Sequence, residues 1–81
     1  IQKSSIELAS DNLNIFETLR KHFSNEVIIE TDGMKIEFNN SDWVHIRKSN
    51  TEPIIRIISE SNSKSTAIKL IEDIKKILGK N

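Results

Sequence analysis

The chain has 81 residues, 36% hydrophobic and 30% charged, and its 12 basic and 12 acidic residues cancel. Such a composition fits one small soluble globular domain. The neutral balance argues against a nucleic-acid or membrane-surface binder that works through bulk charge, but leaves room for a local anion site. With no cysteine there is no disulfide framework, thiolate nucleophile or thiolate metal site, and a cytoplasmic setting is expected.

The chain opens on Ile1 rather than Met, as a piece cut from a longer protein would. "IQKSS" is not a signal peptide, and no apolar run approaches membrane-spanning length. Residues 1–4 read as a linker remnant, 5–79 as a single domain and 80–81 as a tail. "SIELA" predicts a short strand. In "SDNLNIFETLRKHFSN", Phe16, Leu19 and Phe23 follow helical spacing, Leu13 extends the stripe, and Ser10 or Asp11 suits the N-cap. "EVIIETDGMKIEF" predicts a hairpin in which Val27 and Ile29 alternate before an Asp32-Gly33 turn, and Met34, Ile36 and Phe38 alternate after it.

"NNSD" is a second turn, and "WVHIRKS" a strand with Val44 and Ile46 on one face and Trp43, His45 and Arg47 on the other. "IIRIISE" is a further strand. An amphipathic helix closes the chain, with Ala67, Leu70, Ile71, Ile74, Ile77 and Leu78 as its stripe, Lys75 and Lys76 near its end and Gly79 as its stop. The expected fold is α+β: a four- to five-stranded, mainly antiparallel sheet with two helices on one face.

The stretch "RKSNTEPIIR", residues 47–56, puts more polar donors into one turn than a hairpin needs. The Arg47 guanidinium can meet two phosphate oxygens at once. Ser49 and Thr51 add hydroxyl donors, Asn50 an amide, and successive backbone N–H groups can converge on an anion. Pro53 fixes its own φ and biases Glu52 towards extended geometry, stiffening the exit, and Arg56 is placed to reach the same anion or to pair with Glu52 or Glu60. The same residues equally suit an ordinary polar turn with a surface ion pair.

"DGMKIEF" followed by "SDWVHIRKSNTEPIIRI" resembles the C-terminal domain, domain 4, of the α-D-phosphohexomutases, the phosphoglucomutase and phosphomannomutase family. The signature of that family runs Arg-x-Ser-(Asn or Gly)-Thr-Glu-Pro-x-x-Arg, and the resemblance extends from about Ser5 to Leu78. It implies a TATA-binding-protein-like fold and a parent enzyme with three further domains. That parent would be an intramolecular phosphotransferase interconverting hexose 1- and 6-phosphates through a phosphoserine, Mg²⁺ and a bisphosphorylated sugar.

The resemblance also implies roles. Arg47, Ser49, Asn50 and Thr51, with Arg56, would grip the non-reacting phosphate of the hexose phosphate, supported by Glu52 and Pro53. Asn50 is closer to the phosphoglucomutase/phosphomannomutase branch than to the phosphoglucosamine mutase branch. Lys48 stands where Pro or Ala is common, which is expected to loosen the loop or add positive charge; Ser59 and Ser61 stand where apolar or small residues are frequent, without consequence expected for phosphate. The catalytic serine loop, the metal loop and the sugar-reading loop have no counterpart here. No catalytic residue, metal or cofactor is therefore expected within this domain, and no nucleic acid or membrane partner.

Outside this stretch the candidates are weaker. His22 and His45 have no companion at metal-ligand spacing and read as structural, although His45 shares a face with Arg47. Trp43 reads as cover for a sheet edge or a neighbouring domain, Lys75, Lys76 and Lys80 as a solvated face, and Asp11, Glu72 and Asp73 as lacking acid–base arrangement. The alternative is a stand-alone protein- or nucleic-acid-binding α+β module, for which the strand aromatics Phe38 and Trp43 are few.

Overall fold

The structure, a computed structural model, describes residues 1–7, 15–38, 41–48 and 54–78. In chain order these form β1 (Gln2–Glu7), α1 (Ile15–His22), β2 (Val27–Ile29), β3 (Met34–Glu37), β4 (Trp43–Lys48), β5 (Ile54–Glu60) and α2 (Lys64–Ile77). The strands make one sheet in the order β1-β5-β4-β3-β2, and every pairing is antiparallel.

Period-two patterning explains the sheet. Met34 and Ile36, Val44 and Ile46, and Ile55 and Ile57 are all essentially inaccessible, and register brings them onto a common face. Ile15 and Leu19 of α1 and Ile71 and Ile74 of α2 belong to the same apolar cluster, so both helices cover that one face. The fold is α+β, with the other face of the sheet left open. Ala67, 2% exposed, keeps the start of α2 slim where it meets β5, and Ser63 caps it by accepting from the Thr66 N–H at 3.4 Å. Lys75 and Lys76 sit in the last turn of α2, where their charge complements the exposed carbonyls.

Two details differ from the sequence expectation. The strand expected at "SIELA" begins at Gln2, and Gln2, Lys3 and Ser4, taken for linker, pair with Ser59, Ile58 and Ile57. The polar run carries no apolar alternation, and the unpaired edge of β5 supplies the reason for it to extend. In β2, Ile28 lies opposite the buried Ile36 and is half-buried, whereas Val27 and Ile29 fall on the open face, 58% and 40% exposed. Three consecutive β-branched residues leave strand parity ambiguous, and the pairing with β3 decides it. Leu13, the Ser10 or Asp11 cap and the Gly79 stop lie outside the described residues.

Candidate anion-binding site

The site is built around the end of β4 and the start of β5. Arg47 lies directly opposite Arg56, with Lys48 opposite Ile55 one step further on. Alternation places Trp43, His45 and Arg47 on the open face, as expected, together with Ile58 and Arg56 of β5. Two like charges directly opposite one another weaken a sheet unless an anion comes between or beside them. Here they concentrate positive charge at the end of two central strands, next to residues 49–53 in the chain.

The Asp32-Gly33 turn braces this corner from the neighbouring strand pair. Gly33 adopts φ +84° and passes so close to β4 that a Cβ on it would stand 2.5 Å from the Ile46 carbonyl oxygen and 2.8 Å from Arg47 Cβ. Only glycine fits both demands. That approach carries Asp32 to its partners: its carboxylate Oδ2 is 3.6 Å from Arg47 Nη1, and its backbone carbonyl is 2.7 Å from His45 Nε2. A carbonyl only accepts, so His45 Nε2 carries the proton and donates. Arg47 remains half-exposed and open to a second anion, its side chain 45% accessible.

Lys48 points the other way. It takes the helix side of the sheet, and its ammonium lies over the Phe16 ring of α1, 5.8 Å from the centroid. The charge that distinguishes this position is therefore on the face away from Arg47 and Arg56. Ser49, Asn50, Thr51, Glu52 and Pro53, the remaining expected contacts, lie outside the described residues.

The other candidates separate cleanly. His22 is exposed and meets Phe23 edge-on, with ring centroids 4.8 Å apart. Phe38 is not on the open face. It packs against the core and meets Phe23 at 5.8 Å, which leaves Trp43 as the aromatic of that face among the described strand residues, with Lys35 Nζ 4.9 Å from its ring centroid. One ring already covered by an ammonium is a poor platform for stacking bases. Glu72 and Lys76 are exposed, and Asp73 and Lys75 half-buried; Asp11 and Lys80 lie outside the described residues. Among the described residues no group of three or more His, Asp or Glu is placed to hold a metal, and no helix is long and apolar enough to cross a membrane.

Sequence reasoning missed two residues that matter locally. Asp32 reads in the sequence only as a turn former, and its contact with Arg47 follows from the register of β3 on β4. Ser59, for which no structural role is read from the sequence, is fully buried and donates through Oγ to the Ala67 carbonyl at 2.6 Å, fastening α2 to β5. On the far side of the sheet, Arg20 of α1 forks onto Glu30 through Nε and Nη2, both at 2.9 Å. This hydrogen-bonded pair holds the Glu30 carboxyl below its usual range and raises Arg20.

With this geometry in place, comparison with known proteins is informative. The sequence profile of the family described as "Phosphoglucomutase/phosphomannomutase, C-terminal domain" matches residues 7–77. A phosphomannomutase of Methanocaldococcus jannaschii is 34% identical over 70 residues, which is 86% of this chain and 15% of that protein. A probable phosphoglucosamine mutase of Thermococcus gammatolerans is 42% identical over 59 residues, 72% of this chain and 13% of that protein. A phosphoglucomutase/phosphomannomutase of Thermococcus kodakarensis is 52% identical over 42 residues, 52% of this chain and 9% of that protein. The chain thus spans roughly one-seventh of the length of the first two relatives, and mutases of both branches are among its relatives. A profile match over nearly the whole chain, joined to that identity across 86% of it, makes this chain a member of the phosphoglucomutase/phosphomannomutase C-terminal domain family.

Proposed function

We propose that this domain is the phosphate grip of a phosphohexomutase. In this reading Arg47, Ser49, Asn50 and Thr51, with Arg56 from the facing strand, hold the non-reacting phosphate of the sugar while a phosphoryl group passes between the enzyme's phosphoserine and the hydroxyl at the other end, through a bisphosphorylated intermediate. Glu52 and Pro53 hold the loop that presents them. The observation that supports this best is the Arg47–Arg56 register at the joined ends of β4 and β5, which gathers cationic donors on the open face.

The magnitudes suit a domain that works as one wall of a larger site. A charge-assisted hydrogen bond contributes about 1.5–3 kcal/mol, and association costs roughly 4 kcal/mol or more. A few such contacts bind a phosphate weakly alone, yet fix the position of a substrate whose remainder is held by three sister domains of the parent. A grip built from a delocalised guanidinium and rotatable hydroxyls also accepts the phosphate of either sugar orientation. In the same reading the phosphoryl chemistry itself falls to a phosphoserine and Mg²⁺ held by other domains of the parent. What this domain contributes is position. The same reading places the parent isomerase in the cytoplasm.

The test is turnover by the full-length mutase that carries this domain. Arg47→Ala should lower kcat/KM for a hexose 1-phosphate by about tenfold or more, the loss of one charged contact. Unchanged kinetics would overturn the assignment.

A further inference from the structure

Asp32 lies beside the very guanidinium that the proposed grip depends on, and its place is held by two independent features. The approach of Gly33 to Ile46 and Arg47 fixes the turn against β4, and the His45 hydrogen bond to the Asp32 carbonyl anchors the residue itself. The carboxylate is left 76% exposed and 3.6 Å from Arg47 Nη1. A contact of that length at an exposed position is weak and easily exchanged. A phosphate seated across Arg47 and Arg56 would need the same edge of the guanidinium and would bring its own negative charge close to Asp32.

We propose that Asp32 is the resident counter-ion of Arg47, displaced when phosphate binds. It offsets the facing arginine charges when the site is empty, and sets an affinity low enough for the phosphate to leave and return. This rests on the phosphate-grip reading and adds to it a residue, outside the loop, that tunes the grip by opposing it. A residue that merely supported the fold would lower affinity when changed. Removing a competing counter-ion raises it.

The experiment titrates inorganic phosphate into this chain and into its Asp32→Asn and Arg47→Ala variants, following backbone amides and the Arg47 guanidinium by NMR. Asp32→Asn keeps the backbone carbonyl that His45 uses and removes only the charge. Its phosphate Kd should fall about two- to fivefold, the range an exposed ion pair supports. The Arg47 side-chain signal should also shift before any phosphate is added. An unchanged or raised Kd in Asp32→Asn, with Arg47→Ala abolishing the response, overturns the counter-ion and leaves the grip standing. A phosphate response indifferent to Arg47→Ala, or none in the unsubstituted chain, overturns both.

Discussion

Gly33 falls opposite Arg47, one step beyond the Met34–Ile46 pair of β3 and β4, and a single methyl group on Gly33 would stand 2.8 Å from Arg47 Cβ. The turn that begins β3 is thus in backbone contact with the end of β4. Gly33→Ala must relieve that contact, a second one of 2.5 Å to the Ile46 carbonyl, and a left-handed φ of +84°. The left-handed conformation alone costs about 1–2 kcal/mol, and the contacts add to it. We expect urea unfolding to show a loss of about 2 kcal/mol or more, a large part of the stability of so small a domain. Displacement of β4 should also weaken any phosphate response at Arg47. Equal stability would mean that the turn shifts freely.

Ser59→Ala tests the bond between β5 and α2. Ser59 is fully buried, and its hydroxyl reaches the Ala67 carbonyl at 2.6 Å. That carbonyl lies in the α2 ladder, so removing the hydroxyl costs one hydrogen bond and leaves a small void. A loss of about 1 kcal/mol is expected in chemical denaturation, with faster hydrogen exchange in the first turns of α2. No change in either would show that α2 is held by apolar packing alone.

How much of this was legible follows from the range of each interaction. The alternation in β4 was readable because Val44 and Ile46 are apolar and His45 and Arg47 are not, so parity has one solution. In β2 the run Val27, Ile28, Ile29 has two, and cross-strand pairing with Ile36 selects the one that buries Ile28. The strand from Gln2 is polar, and only its partner β5 explains it. Arg47 and Arg56 could be singled out from the sequence, as could the Asp32-Gly33 turn. Arg47 meets Arg56 through the register of β4 and β5, and meets the Asp32-Gly33 turn through the register of β3 and β4; the residue pattern suggests both pairings but does not give their register. The structural role of Ser59 is not legible in the sequence and appears only once Ala67 is placed beside it.

The Arg20–Glu30 pair gives a pH dependence of known sign. Glu30 titrates below its ordinary value of 4.5 in the folded chain because Arg20 hydrogen-bonds its charged form. Its contribution is therefore complete above that value. As the pH falls through 4.5 and then through the folded value, the unfolded chain takes up the proton first and the contribution is lost. Both groups are solvent-exposed, so the effect is small and should shrink further in high salt. Denaturation midpoints between pH 6 and 3, compared with Glu30→Gln, should converge at the acid end. Parallel curves would remove the pair from the stability of the fold.

Lys48 separates the two faces of the sheet experimentally. It follows Arg47 directly, and a reading from sequence alone adds its charge to the anion site. In the structure it occupies the helix side, with its ammonium over Phe16. Lys48→Ala should therefore lose a cation–π contact of about 0.5–1 kcal/mol, seen as a small shift in the unfolding midpoint. Phosphate affinity should change by less than about twofold, since a screened charge on the opposite face acts only at long range. Arg47→Ala should show the reverse, with little effect on stability and a large one on phosphate. If Lys48→Ala instead weakens phosphate binding as much as Arg47→Ala does, then the side chain swings round the edge of the sheet on binding, and the grip draws on both of its faces.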